Sequence, residues 1–371
     1  MIQTYSSTIR RKEMEAVLTC MVDEKIGPGE TNARLIQLAR ELIGCDGAVA
    51  LRSPAIALEY ALESLQLPKD NPIMLSALAP SWQLVTVERL GYKALILDVV
   101  EETGQITPEI AQDGIKKGGR LLLLTESMGI LPDIKAFLAL GIPVIEDISQ
   151  SAMAYYPVDE SELTEAQRKS MEKSAGDNAS EAAPAVHGRR AGMYGLYTIM
   201  GMEDRDIITA GGGALLMAPS RREWTVLKKL VDAAPSTDIM PDMNAALAYV
   251  ELKEFTRNEA ARRDLFALFS RAVMTGRHRT YVRTVDDGST IYSFPLVLNS
   301  GFKDVRAYAQ KKGIEVRQAY ENSIIALRQE EVAPSCICAN SLLLRCAAFP
   351  LYPRLGQKDA GRIVKVLSSL P

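Results

Sequence analysis

The sequence has no lysine between Lys173 and Lys228, only two histidines, His187 and His278, and only five cysteines in 371 residues. So few histidines leave little from which to build a transition-metal centre. Cys336, Cys338 and Cys346 lie close together, but an odd count in a long chain fits buried, reduced thiols in a cytoplasmic protein better than a zinc site. No metal is expected. Neither sign of charge dominates: the net charge is −3, so no basic face for nucleic acid is implied. The first residues, from Met1 to Glu13, contain no apolar core of a signal peptide. Apolar runs elsewhere are broken by charge or proline before they reach membrane-spanning length, so no membrane segment is expected. Three nucleotide or nucleophile signatures are also missing. No Gly-x-Gly-x-x-Gly follows the first strand, and no phosphate-loop Gly-Lys-Ser/Thr or Gly-x-Ser-x-Gly elbow occurs. Hydride transfer, nucleotide hydrolysis by a phosphate loop, and serine hydrolysis are therefore disfavoured.

What is present is an alternation. Apolar runs at 47–51, 72–78, 94–99, 120–125 and 143–146 read as strands. Helical stretches at 55–67, 83–90, 108–117 and 133–140 separate them, preceded by two helices at 10–24 and 31–43. This order predicts an α/β fold with a mainly parallel sheet covered by helices. Residues 157–186 are polar and rich in Ala and Ser, and read as a surface insertion with a helix near 165–173. Strands at 191–198 and 207–217 and a helix at 221–231 follow. One long helical region, 244–275, leads into strands at 280–285 and 290–297 and helices at 303–312 and 357–367. The expected division is a large domain over 1–235 and a smaller C-terminal α+β domain over 236–371.

The candidate chemistry starts at Asp147. It ends an apolar strand, Ile142-Pro-Val-Ile-Glu146-Asp147, where open α/β sheets hold ligands. A carboxylate there can hold a protonated pyridine nitrogen, and Gln150 beside it can donate to a phenolic oxygen. The plain alternative is that Asp147 caps a turn and Gln150 is solvated. Trp82 can stack on a planar ligand or serve as a core aromatic. Arg189 and Arg190 can meet a phosphate or lie in solvent, and Gly211–Gly213 can form a tight turn or an anion nest.

Glu146-Asp147-Ile-Ser-Gln150-Ser resembles the Glu-Asp-Ala-Ala-Gln-Ala/Ser motif of the DegT/StrS sugar aminotransferases. Other segments resemble the same family in order. They are Gly27-Pro28, the run Gly91 to Asp98, Thr107-Pro-Glu-Ile, Gly188-Arg-Arg-Ala-Gly192-Met-Tyr-Gly195, Asn244-Ala-Ala-Leu-Ala and Phe349-Pro-Leu-Tyr-Pro-Arg-Leu. The resemblance covers nearly the whole chain apart from the insertion. It implies the fold-type I pyridoxal-phosphate architecture, a nucleotide-sugar ligand, and sites built across a subunit interface.

Against that pattern the chain departs at several contacts. Where the family has Gly-Thr for the cofactor phosphate, this sequence has Ser53-Pro54-Ala55, lacking one N–H and one hydroxyl. Where the family has Ser-Phe-x-x-x-Lys, alignment puts Gly201 at the serine and Asp206 at the Schiff-base lysine; a slip gives Arg205 or Asp204. The family's Tyr-Asn-x-Arg becomes Ser236-Thr237-Asp238-Ile239. An aspartate cannot form an imine. The expectation is a non-transaminating homologue acting as a partner subunit or ligand-binding protein, as a homodimer or as a heterodimer with an active paralogue, in surface-polysaccharide biosynthesis. The alternatives are a lysine-independent pyridoxamine-phosphate enzyme that uses Asp206, Asp204 or His187 as base, and an ordinary aminotransferase that takes a lysine from Lys169, Lys173, Lys228 or Lys229. In each case Asp147, Gln150, Trp82, Ser53 and Ala55 are the candidate cofactor contacts. Pyridoxal or pyridoxamine phosphate is the cofactor that the resemblance implies, and the phosphate site looks degraded.

Overall fold

The computed structural model describes residues 1–157, 188–274, 276–283 and 288–371. Seven short, apolar strands form one sheet: β1 (Gly47–Leu51), β2 (Ile73–Ser76), β3 (Ala94–Leu97), β4 (Leu121–Thr125), β5 (Val144–Asp147), β6 (Tyr197–Gly201) and β7 (Ala214–Ala218). Their order is β1-β7-β6-β5-β4-β2-β3, and only β7 runs against its neighbours. Near-continuous apolar sequence in β4 and β7 matches burial on both faces. Helices α1 (Arg11–Val22), α2 (Glu30–Ile43), α3 (Pro54–Leu65), α4 (Ser81–Arg89), α5 (Pro108–Lys116), α6 (Ile134–Leu138) and α7 (Arg221–Asp232) accompany the sheet. The chain continues through α8 (Asp242–Lys253) and α9 (Phe255–Val273) to a smaller antiparallel sheet of order β8-β10-β9, from Phe294–Val297, Cys346–Phe349 and Arg317–Gln318. Among the described residues no helix is long and apolar enough to cross a membrane.

Several expected boundaries move, each for a local reason. The strand expected over 191–198 begins only at Tyr197, because the backbone N–H groups of Gly192, Tyr194 and Gly195 all donate to the buried Glu146 carboxylate rather than to a strand. The strand expected over 207–217 begins only at Ala214. Before it, the N–H groups of Ala210 and Gly212 both donate to the Met202 carbonyl, and Gly211, Gly212 and Gly213 all have positive φ. This glycine run is a tight turn closed on backbone, so the anion-nest alternative is not needed to account for it. The helical region from 244 divides at Glu254 into α8 and α9. The strand expected over 280–285 is not formed at its described residues, and that over 290–297 shortens to β8. Strands β9 and β10 and the short helices Ile324–Leu327, Gln329–Val332 and Ile337–Arg345 have no counterpart among the expected elements. The insertion and its expected helix, Pro157 apart, lie outside the described residues.

Two carboxylates tie distant parts of the chain together. Asp98, just past β3, accepts from the N–H groups of Cys338 and Ala339 at 3.1 and 2.8 Å, capping helix 337–345. Asp242, at the start of α8, accepts from Gly29, Thr31 and Asn32 at 2.9, 3.1 and 2.9 Å and so caps α2. Both Cys336 and Cys346 are buried; burial pushes their thiols up to about 11 and about 12, which keeps them protonated. Replacing Asp242 by alanine removes a charged cap from three amides. Asp242→Ala should lower unfolding free energy by about 2 kcal/mol in urea titrations, with Asp242→Asn costing less than half of that. Equal losses for both variants would show that the carboxylate charge is not what holds α2.

Candidate functional site

The carboxyl edge of the large sheet opens into a cleft of about 430 Å³. The end of β5 contributes Asp147, and the segments after β2, β4, β5 and β6 contribute Leu78, Met128, Ser149 with Gln150, and Glu203 to Asp206. The start of α3 adds Ser53, Pro54 and Ala55; α4 adds Ser81 and Trp82; the C-terminal part adds Ala319 to Ser323. Seven of the candidate residues from the sequence, Ser53, Ala55, Trp82, Asp147, Gln150, Asp204 and Asp206, line one cavity.

Asp147 is 1% exposed, and the protein's own donors hold both of its oxygens. Its Oδ1 accepts from the Ser149 N–H at 3.0 Å and the Ser149 hydroxyl at 2.5 Å; its Oδ2 accepts from Gln83 Nε2 at 2.7 Å. Gln83 is fully buried in α4 and exchanges hydrogen bonds with the Thr125 hydroxyl at the end of β4. Burial raises the Asp147 carboxyl, and the Ser149 and Gln83 bonds oppose that rise. Gln150 uses its side-chain carbonyl to accept from the Met128 N–H at 2.8 Å, holding a non-glycine residue at φ 57°. Trp82 lines the cleft and packs on the core as well. Arg189 lies over the Tyr194 ring, and Arg190 donates to the Met153 carbonyl at 2.5 Å.

The loop after β6 is organised around Gly201 and Asp206. The Asp206 Oδ2 accepts from the Glu203 N–H at 2.8 Å. A Cβ placed on Gly201 would come within 2.7 Å of that same oxygen and 2.8 Å of the Ser149 hydroxyl. Those two atoms thus occupy the space of a side chain at 201. The Gly201 N–H donates to the Ser149 hydroxyl at 2.8 Å, which joins this loop to Asp147. Loss of surrounding water raises the Asp206 carboxyl to about 8, with Asp147, Glu203 and Asp204 adding repulsion. Arg205 pairs with Glu321 at 2.8 Å and lies over the Tyr5 ring.

At the other side of the cleft the Ser53 hydroxyl caps α3 by accepting from the Ile56 N–H at 3.2 Å, and Pro54 occupies the first helical position. That hydroxyl is committed to its own helix. In the segment aligned with Tyr-Asn-x-Arg, Asp238 accepts from the Tyr60 hydroxyl at 2.9 Å. Lys228 pairs with Asp232 on an exposed face, and Lys229 lines a separate groove with Glu59 and Tyr92. Lys169, Lys173 and His187 lie outside the described residues. Among the described residues no lysine lines the cleft, whose carboxyl groups outnumber its single arginine. Among the described residues these groups offer no amine to hold a phosphate-bearing aldehyde as an imine, and Pro54 offers no N–H to its phosphate.

The family model for DegT/DnrJ/EryC1/StrS aminotransferases matches residues 7–169 and 177–368. The chain belongs to this family. Solved structures with the same fold include the aminotransferase TlmJ from Streptoalloteichus hindustanus, at 15% identity and a TM-score of 0.83 over 99% of this chain and 98% of that one. Spr1654 from Streptococcus pneumoniae, in its PLP form, matches at 13% identity and 0.82 over 98% and 97%. The E. coli GDP-4-keto-6-deoxy-D-mannose-3-dehydratase, with bound hydrated PLP, matches at 14% and 0.80 over 99% of each chain. Identities this low show a shared fold alone.

Within this DegT/StrS-type cleft, the residues that sequence reasoning passed over are Tyr5, Gln83, Ser149, Glu203, Tyr292 and Glu321. Ser149 had a visible signal, since Asp-x-Ser is a local turn in which a hydroxyl meets the preceding carboxylate. Tyr5 and Glu321 come from opposite ends of the chain and had none.

The state of Asp206 has a thermodynamic consequence. A carboxyl raised from an ordinary 3.8 to about 8 favours the fold while protonated, and that contribution is lost as pH climbs from the unfolded value through about 8. Asp206→Asn keeps an acceptor for the Glu203 N–H and cannot ionise. Its melting temperature should exceed that of the unsubstituted protein by on the order of 2 °C near pH 8.5, with the gap closing toward pH 4. A gap independent of pH would show that Asp206 is not the titrating group.

Proposed function

We propose that this chain is a non-transaminating member of the DegT/StrS aminotransferase family that keeps the fold and the ligand cleft but does not use a Schiff base. The observation that carries the reading is the Asp206 carboxylate on the cleft wall, in room left by a side-chain-free residue 201. The committed Ser53 hydroxyl, Pro54 and the engaged Asp147 support it from three further directions. In this reading the protein serves nucleotide-sugar or surface-polysaccharide chemistry as a ligand-binding or partner subunit, in a homodimer or beside an active paralogue. The exposed Met14, Leu18 and Met21 on α1 offer an apolar face for such a contact.

One observation favours a second reading. A cleft carboxyl raised to about 8 is present in both protonation states near neutrality, as a general base requires. The chain would then act with pyridoxamine phosphate as a lysine-independent sugar dehydratase.

Absorption spectra separate these readings. The purified protein, mixed with pyridoxal phosphate and then with borohydride, should develop no reducible internal aldimine. A reducible band would overturn both readings. Retention of pyridoxamine phosphate through gel filtration, without an aldimine, would select the second. Asp206→Lys alone should not restore transamination above the blank rate, because the phosphate end of the cleft is unchanged.

A further inference from the structure

The joint between α1 and α8 contains two carboxyl groups that the cleft does not explain. Helix α1 packs chiefly on α8, and the residues it buries are Glu13 and Cys20. The Cys20 thiol donates to the Asp242 carbonyl, at the start of α8, at 3.7 Å. Glu13, toward the other end of α1, is fully buried. Its Oε2 accepts from the Arg10 N–H at 2.9 Å, and its Oε1 has no hydrogen-bond partner among the described residues. Across the joint Glu251 of α8 is 1% exposed. Its Oε2 takes only a long bond, 3.5 Å, from Asn258 Nδ2, and its Oε1 has no partner either. Buried polar atoms are seldom left unmatched, because each one stranded from water destabilises the fold.

Cations surround Glu251 without bonding to it. Arg262, Arg10 and Arg257 attract its charge, in falling order. The Arg262 Nη2 is taken by the Ile207 carbonyl at 3.1 Å. Arg10 reaches the Pro353 carbonyl at 3.5 Å, and Arg257 pairs with Glu254. Of the other charged groups about the joint, Lys12 pairs with Glu254 at 2.6 Å, Arg11 pairs with Glu15 in solvent, and Lys253 lies over the Tyr249 ring. Glu259 of α9 accepts from the Ile291 N–H at 2.9 Å and pairs with Arg263. Helix α2, also packed on α8, buries no charged residue. Glu251 and Arg262 line a cavity of about 40 Å³ together with Tyr5, Asp204, Arg205, Asp206, Tyr292 and Tyr352. Burial and then Glu13 push the Glu251 carboxyl up, the three arginines pull it down, and the balance lies at about 7.

We propose that the α1–α8 joint is a proton-operated latch: α1 stays docked while Glu251 holds its proton and lifts from α8 when Glu251 ionises beside Glu13. A protonated Glu251 can donate within the joint. The carboxylate instead lodges a charge there with no donor bonded closer than 3.5 Å. Lifting α1 returns both carboxyls to water. Because the Glu251 carboxyl is raised in the fold, its contribution to docking is complete below an ordinary 4.5 and is lost as pH climbs through about 7. The outer face of α1 moves with the latch. Met14, Leu18, Met21 and Val22 on that face are each more than half exposed, so any contact they make is tied to pH. The latch does not depend on what occupies the cleft.

Cys20 reports the lifting, since it is hidden on the same side of α1 as Glu13. The native full chain is alkylated with iodoacetamide between pH 6 and pH 8.5, and the Cys20 peptide is quantified by mass spectrometry. Dividing by the Cys20 rate in the urea-unfolded protein at each pH removes the intrinsic pH dependence of alkylation. The normalised rate should rise about tenfold from pH 6 to pH 8.5. Glu251→Gln should hold that rise below about twofold. Glu13→Gln keeps an acceptor for the Arg10 N–H and removes the repulsion, so it should make the rise smaller. The fully buried Cys336 should stay at least about tenfold slower than Cys20 throughout, which separates lifting of α1 from global unfolding. No rise, a rise that Glu251→Gln keeps, or equal rates at Cys20 and Cys336 would overturn the proposal. If Glu251→Gln does not fold, a rise unaltered by Glu13→Gln overturns it in its place.

Discussion

The buried Asp147 carboxylate is the point on which the functional half of this molecule turns. A charge-bearing group at the carboxyl end of a central strand must find donors, and it finds them in Ser149 and in Gln83 of α4. Gln83 brings α4, and through Thr125 also the end of β4. Ser149 closes a turn on the same carboxylate and passes the connection to Gly201 at the end of β6. The floor of the cleft is therefore one hydrogen-bonded unit. The protein supplies donors to both oxygens of the carboxylate, two to Oδ1 and one to Oδ2.

The wall that follows β6 obeys a different constraint, steric rather than polar. Residue 201 has no side chain, and its place is shared by the Ser149 hydroxyl and an Asp206 oxygen. The acidic loop can fold inward because that space is open. Once inward, the Asp206 carboxyl is cut off from water, which raises it to about 8.

Much of this was legible in the sequence because it rests on local patterns. Apolar runs located strands and helices in the first half, where the burial of a parallel sheet leaves a strong signal. The family-like segments pointed to six residues, Ser53, Ala55, Asp147, Gln150, Asp204 and Asp206, that line one cleft with the separately read Trp82. What was not legible depends on long-range partners. Glu146 keeps residues 192–195 out of a strand by taking their N–H groups, and no property of those residues alone reveals it. Strand β10 is four residues long, Cys-Ala-Ala-Phe, and owes its form to pairing with β8 and β9 rather than to propensity. Gln83 reads as a surface residue of a helix until its partner 64 positions away is known.

The crowding at Gly201 couples two parts of the cleft wall. A methyl group at 201 would come within 2.7 Å of the Asp206 Oδ2 and 2.8 Å of the Ser149 hydroxyl, so a side chain there requires both of those side chains to move. The move would disturb the bond from the Glu203 N–H that closes the acidic loop and the bond from the Gly201 N–H that ties β6 to the floor at Asp147. A change of one carbon at this position therefore reaches two separate anchors at once.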